Sequence, residues 1–311
     1  MSQNERFLLI KAWGSGFWSD MSHIAGQLLI AELTDRIPVV YWGADSLYAS
    51  EDPEVKDAFT MYFLPMSNYI VDHLVNEKSY YPIRWNGGNL RSPGIRNPTD
   101  LEHLAIAEVF RRPETVLVSN FHIYVNYLTQ WIGPNHYAYG WGIEDIYSHL
   151  YQKYFNLQPY LSAEIEDFYL KNMKNNHPIL GVHIRGSDKI IECQNLHELN
   201  DYIYPRAIDS YLNKNSTASI FFLTDSESIL SRYKRLYGNK LIYTDCIRTP
   251  DENLPVHRLL PFYNKRQKGI DIIKDTYLAT KCDYFIGNKT SNVSIAVDRL
   301  KAWPKETITL L

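Results

Sequence analysis

Residues 180–189 read LGVHIRGSDK. An apolar run over 179–182 opens the stretch, and charge closes it. Alternate residues of a strand share a face, so His183 and Arg185 point the same way. Gly186 and Ser187 allow a turn, and Asp188 and Lys189 follow it. Charge is costly to bury unless it is paired or bound to something. Open α/β sheets bind ligands beyond the carboxyl ends of their strands, which is where this cluster falls. An Arg185–Asp188 ion pair closing the strand is the alternative reading.

Downstream the pattern repeats. Strands are expected at 220–224, 241–243 and 284–286, and helices at 204–212, 228–237, 275–280 and 292–300. Three of these strands end in polar clusters: His183/Arg185/Asp188, Thr224/Asp225, and Asn288/Thr290/Ser291/Asn292. Parallel βαβ topology brings such ends to one edge. Upstream, 7–10 and 39–42 read as strands around a helix at 21–33, a further βαβ unit. Its turn, WGSGFWSD at 13–20, is neither a dinucleotide fingerprint nor a Walker A loop. It is a Gly14-x-Gly16 loop before a helix, either a tight turn or a set of amides facing an anion. A strand is expected at 115–119, and helices at 57–64, 101–110, 144–157 and 162–174. The chain therefore reads as α/β with two Rossmann-like domains, 1–175 and 176–311, facing an interdomain cleft: a GT-B-like architecture.

Composition excludes several classes. Net charge is −3, which gives no global attraction to nucleic acid or anionic membrane. Cys193, Cys246 and Cys282 form neither a zinc spacing nor a disulfide framework, as in a reducing compartment. The opening residues hold too short an apolar run for a membrane span or secretory signal. The expected location is cytoplasmic.

GVHIRGSDK resembles the His-x-Arg-x-x-Asp-Lys strand of the GDP-fucose-dependent fucosyltransferase superfamily. That superfamily includes α1,6-fucosyltransferases, nodulation fucosyltransferases and protein O-fucosyltransferases. The similarity covers about 179–300 and, more loosely, 7–42. Gly186 stands where the α1,6 enzymes carry a second Arg, so the resemblance implies a nucleotide-diphosphate sugar donor rather than a particular linkage. It implies an inverting transfer of fucose from GDP-fucose to a hydroxyl of a glycan or protein acceptor. Another GDP-hexose donor, or a nucleotide- or glycan-binding module without turnover, are the other readings.

Roles follow from chemistry and resemblance together. Arg185 offers a planar fork of donors suited to phosphate oxygens. Thr290, Ser291 and Asn292 open the last helix, where amides and hydroxyls hold further oxygens. The resemblance places His183 and Asp275 on guanine, Thr224 and Asp225 on the nucleotide side, and Gly14 and Gly16 facing the donor. Asp225 alternatively caps the next helix, Asp275 is alternatively a surface helix residue, and His183 a satisfied core histidine. Glu192 is the candidate base, and Lys189 pairs with it or with Asp188. On the acceptor side stand Asp20, alternatively a helix cap, and His23. Trp85, beside Tyr80 and Tyr81 in a turn-rich stretch, either stacks on a sugar or anchors its loop. No Asp-x-Asp occurs, so no metal and no other cofactor is expected. A basic loop over 247–268 is the expected lid on the donor, or alternatively a solvated charged loop.

Overall fold

The computed structural model describes residues 5–44, 46–94, 106–119, 122–186, 199–250 and 264–311. They fall into two compact units, Met1–Gln158 and Pro159–Leu311. The division lies before helix Pro159–Asn172, whereas the expected boundary at 175/176 lies after it.

The first unit carries the sheet β2–β1–β4–β3, all parallel: Ile37–Tyr41, Phe7–Lys11, Val116–Ser119 and Tyr80–Tyr81. Burial on both faces explains why β1 and β4 are continuous apolar runs rather than alternating ones. Phe7, Leu9, Val116 and Val118 pack with Tyr41, Leu74, Trp85 and Leu90 on one face. Helix α1 (Phe17–Leu33) contributes nothing to that cluster and covers the other face. It starts at Phe17, four residues before the expected start, so Trp18 and Asp20 lie in the helix rather than in the turn. At the sheet's amino-terminal edge the buried Arg36 donates to the carbonyls of Arg112 (2.8 Å), Glu114 (2.9 Å), Phe7 and Thr115 (both 3.3 Å). The helix expected at 57–64 is only a 3-10 turn, Phe59–Met61. Of that expected at 101–110, Ile106–Val109 (α2) is described. Helix α3 runs Ile143–Tyr154.

The second unit begins with α4 (Pro159–Asn172), in which the proline takes the first position, where its missing N–H costs nothing. Its sheet runs β7–β6–β5–β8–β9, again all parallel: Leu241–Ile242, Ser219–Thr224, Ile179–Ile184, Tyr284–Gly287 and Ile308–Leu310. Strand β5, the strand quoted first, is central, and its six residues are all buried. Helices α5 (Tyr204–Lys214), α6 (Glu227–Tyr237), α7 (Lys265–Ala279) and α8 (Asn292–Leu300) supply the crossovers. Lys265, Arg266 and Lys268 open α7 and are not loop residues. Strand β9 has no counterpart in the sequence reading; it is a three-residue edge strand. Among the described residues no helix is long and apolar enough to cross a membrane.

Candidate active site

The carboxyl ends of β5, β6 and β8 share one edge of the second sheet. His183 lies opposite Leu223, and Ile184 opposite Thr224. Just past the strands, Asp225 spans the gap between β5 and β6. Its Oδ1 accepts the Gly186 amide at 2.8 Å, and its Oδ2 lies 3.2 Å from Arg185 Nε. The second contact is an ion pair without hydrogen-bond alignment. Both side chains are mostly buried, so the pair feels less solvent screening than a surface one. Asp225 is therefore not the cap of α6; Ser226 is, accepting from the Ile229 amide. Thr224 turns its hydroxyl to the Ser226 amide at 3.3 Å.

Gly186 has no room for a side chain. A Cβ there would lie 2.7 Å from Ser226 Cβ and 3.0 Å from Ile229 Cδ1. The α6 amino terminus packs directly against the turn, which is why the position is glycine here.

On the other side of β5, the buried His183 places Nδ1 2.7 Å from Ser294 Oγ. Ser294 also accepts the Asn288 amide at 2.9 Å, which locks the first turn of α8 onto the strand ends. Gly287 permits that approach, since a Cβ there would sit 2.5 Å from Ser294 Oγ. Burial pushes the His183 imidazole down to about 4, against an upward pull from Asp225. Ser291 is the α8 N-cap but makes no capping bond with its side chain, so the helix start presents amides without a side-chain cap. Thr290 is turned inward, its amide and hydroxyl both 2.7 Å from Asn288 Oδ1. Asn292 is exposed.

Asp275 is not a surface residue. It is buried in α7, with Oδ1 accepting Thr244 Oγ1 at 2.5 Å and Oδ2 accepting the Cys246 thiol at 3.3 Å. Burial raises its pKa. Arg248 braces the same turn through the carbonyls of Thr244 (3.0 Å) and Cys246 (2.9 Å).

The Gly14–Gly16 loop of the first unit departs from expectation. The Gly14 and Ser15 amides point at the Asp20 carboxylate, at 3.1 and 3.0 Å, and the Phe17 amide at Tyr48 Oη at 2.7 Å. The protein's own carboxylate occupies the place expected for an anion. Asp20 is thus a clamp on the loop; the N-cap itself is Gly16. His23 is wholly buried, its Nε2 3.2 Å from the Lys11 carbonyl. Trp85 is 2 % exposed and packs in the core, so it anchors its loop and presents no face to a sugar.

Asp188, Lys189, Glu192 and most of the expected lid lie outside the described residues. Sequence reasoning missed Ser294, Thr244 and Asn200, the last of which donates to the Arg185 carbonyl at 3.1 Å. Ser294 was legible in principle, lying one helical turn after Ser291. The other two carry no local signal.

Residues 146–296 match the family described as alpha-(1,6)-fucosyltransferase N- and catalytic domains. This match bears out the superfamily resemblance of the β5 stretch. No curated protein sequence matches the chain. Among solved structures, a fucosyltransferase NodZ from Bradyrhizobium is 18% identical with a TM-score of 0.57, over 94% of this chain and 92% of that one. A NodZ alpha-1,6-fucosyltransferase soaked with GDP-fucose is 17% identical with a TM-score of 0.58, over 95% and 92%. POFUT1 in complex with GDP-fucose is 12% identical with a TM-score of 0.59, over 99% and 98%. At these identities the structures speak to the fold, which is the α/β, GT-B-like class expected from the strand–helix alternation.

Proposed function

We propose that this glycosyltransferase, whose residues 146–296 match the α1,6-fucosyltransferase family, moves fucose from GDP-fucose to a hydroxyl of a glycan or protein acceptor. The observation that carries this reading is Arg185. Asp225 holds it at the carboxyl end of β5, on the same sheet edge as the α8 amino terminus. A diphosphate at that edge meets a guanidinium from one side and helix amides from the other.

The second unit is then the donor-binding domain and the first the acceptor-side domain. Guanine is read by the buried carboxylate of Asp275 and by His183, which Ser294 orients. A carboxylate accepts the ring N–H and exocyclic amine of guanine, which uracil cannot reproduce. The reaction inverts the anomeric carbon: the acceptor oxygen bonds to C1 as the bond from C1 to the GDP oxygen breaks. The electron pair leaves with the diphosphate, where Arg185 stabilises it. Glu192 takes the acceptor proton, and Lys189 tunes Glu192. No divalent ion is invoked, and a chelator leaving the rate unchanged is the expected result. The scattered cysteines, of which Cys246 and Cys282 are unbridged, support a cytoplasmic location as part of this proposal.

Calorimetry with GDP, GDP-fucose, GDP-mannose and UDP tests the reading. GDP and GDP-fucose bind and UDP does not; an absence of GDP binding overturns it. Arg185→Ala weakens GDP by roughly 30- to 150-fold, the about 2–3 kcal/mol of a charged hydrogen-bonded contact. Wild-type affinity in that variant removes Arg185 from the site.

A further inference from the structure

Asp275 is a buried carboxylate whose two hydrogen-bond donors are both neutral: the Thr244 hydroxyl on Oδ1 and the Cys246 thiol on Oδ2. A buried carboxylate ordinarily takes a cation as its partner. The neighbouring Arg248 does not donate to it, because Nη1 and Nη2 go to the carbonyls of Cys246 and Thr244. Burial raises the Asp275 pKa, and the Thr244 donor, the Arg248 charge and the Cys246 donor pull it down. A carboxylate has about four acceptor positions, two on each oxygen. Thr244 takes one on the first oxygen and Cys246 takes one on the second, so each oxygen keeps a lone pair. Two N–H groups side by side fill that pair of positions, and guanine carries such a pair in its ring N–H and exocyclic amine.

The two donors belong to a stretch that is tied to the Arg185 turn. Residues 244–249 follow β7 and return to the end of β6, where Thr249 forms a parallel bridge with Ser226. The Thr249 amide donates to the Asp225 carbonyl at 2.8 Å, and its carbonyl accepts the Glu227 amide at 3.0 Å. Asp225 is the residue paired with Arg185. One short segment therefore carries Thr244 and Cys246 at its start and joins the Asp225 turn at its end, with Arg248 clamping it internally. Such a brace sets the direction of the Asp275 carboxylate relative to Arg185. Direction matters for a two-point contact, since a carboxylate turned out of plane keeps one hydrogen bond and loses the other.

We infer, resting on the donor reading above, that Thr244 and Cys246 are positioning residues for base recognition: they fix the plane of the Asp275 carboxylate so that its remaining lone pairs meet the two N–H groups of guanine. The test compares GDP, inosine diphosphate and pyrophosphate by calorimetry on the full chain. Inosine diphosphate lacks the exocyclic amine, so the ratio of GDP to inosine diphosphate affinity reads the two-point contact, and pyrophosphate reads the phosphate edge alone. Thr244→Val keeps the branched shape and removes the donor. It is expected to weaken GDP by about tenfold and to bring the ratio close to one, with pyrophosphate affinity unchanged. Thr244→Ser is expected to restore both GDP affinity and the ratio. If Thr244→Val does not fold, Cys246→Ala decides: the thiol is the weaker donor, and its loss is expected to lower the ratio by about threefold with pyrophosphate again unchanged. A wild-type ratio in Thr244→Val, an equal loss of GDP and pyrophosphate, or a failure of Thr244→Ser to restore the ratio overturns the inference. Asp275→Asn separates this result from the donor reading. If that variant loses discrimination and Thr244→Val does not, only the positioning role falls. If Asp275→Asn keeps the wild-type ratio, or the parent chain binds no GDP, the base-reading role of Asp275 falls and the positioning role with it.

Discussion

Asp225 shows how one side chain organises the strand edge proposed to face phosphate. Its two oxygens take a backbone amide and a guanidinium that are adjacent in sequence, so the turn after β5 and the direction of Arg185 are set together. Gly186 belongs to the same device, because the space a side chain would need is filled by α6. The α1,6 enzymes carry an arginine at this position. Gly186→Arg here does not restore their pattern; it forces the α6 start away from β5. We expect a loss of about 1–3 kcal/mol in urea unfolding and weaker GDP binding. Unchanged stability together with tighter GDP binding refutes the packing argument. At the same scale, Ser294→Ala removes the partner of His183 and of the Asn288 amide. The cost expected is about 1–3 kcal/mol, with GDP discrimination over UDP reduced more than the affinity for phosphate alone. Competition by pyrophosphate separates the two effects.

Helix α1 decides what the first unit offers. Its amino terminus follows a Gly-x-Gly loop, and sequence pattern invites an anion there. The fold answers with Asp20, buried in the first turn and reaching back to the loop amides. A negative side chain at a helix start is stabilised by the helix dipole, so the chain satisfies its own anion site. Asp20→Asn is expected to loosen the loop and lower stability by about 1 kcal/mol without changing GDP affinity. A large loss of GDP binding in that variant returns the loop to the donor site. Helix α8 behaves in the opposite way: its N-cap side chain makes no capping bond, and Ser294 in its first turn is spent on the sheet edge. Of the two helix starts, it is the one in the second unit that the proposed donor site uses.

Over the whole molecule, buried titratable groups set a pH balance. The imidazoles of His23 and His183 are pushed down to about 3 and about 4, chiefly by burial. Both bind a proton more readily when unfolded, so each lowers stability as pH falls below 6.5. Burial pushes Asp57 up to about 6 and Asp271 likewise. These carboxyls hold protons more tightly when folded, so their contribution runs the other way: present in acid and lost as pH rises through 6. Between about pH 4 and 6 the two kinds oppose each other. Asp57→Asn keeps an oxygen for the Trp42 and Phe59 amides but removes one opposing group. Its stability should fall about 1.4 kcal/mol more per pH unit on acidification across that window than the parent's does. Parallel curves for parent and variant contradict the assignment. Hydrogen exchange gives a second molecule-wide check. GDP is expected to protect the amides of 183–186, 224–226 and 288–294, and to leave 7–41 largely unaffected. Protection concentrated in the first unit reverses the proposed division of labour.

The strand–helix alternation, the two parallel sheets and the polar ends of β5, β6 and β8 were all legible in the sequence, because each is written in a local run: four to six apolar residues, then charge. Arg185 and His183 were legible for the same reason. Sequence could not show which polar groups would meet, since Asp225 and Gly186 are 39 residues apart and His183 and Ser294 are 111 apart. Short edge strands such as β3 and β9 carry too few residues for a periodic signal and exist only because a neighbour supplies their hydrogen bonds. The amides of the first loop looked available until the helix beyond it turned a carboxylate back onto them. Local pattern determines where strands end; three-dimensional proximity decides which of those ends are already satisfied and which still await a partner.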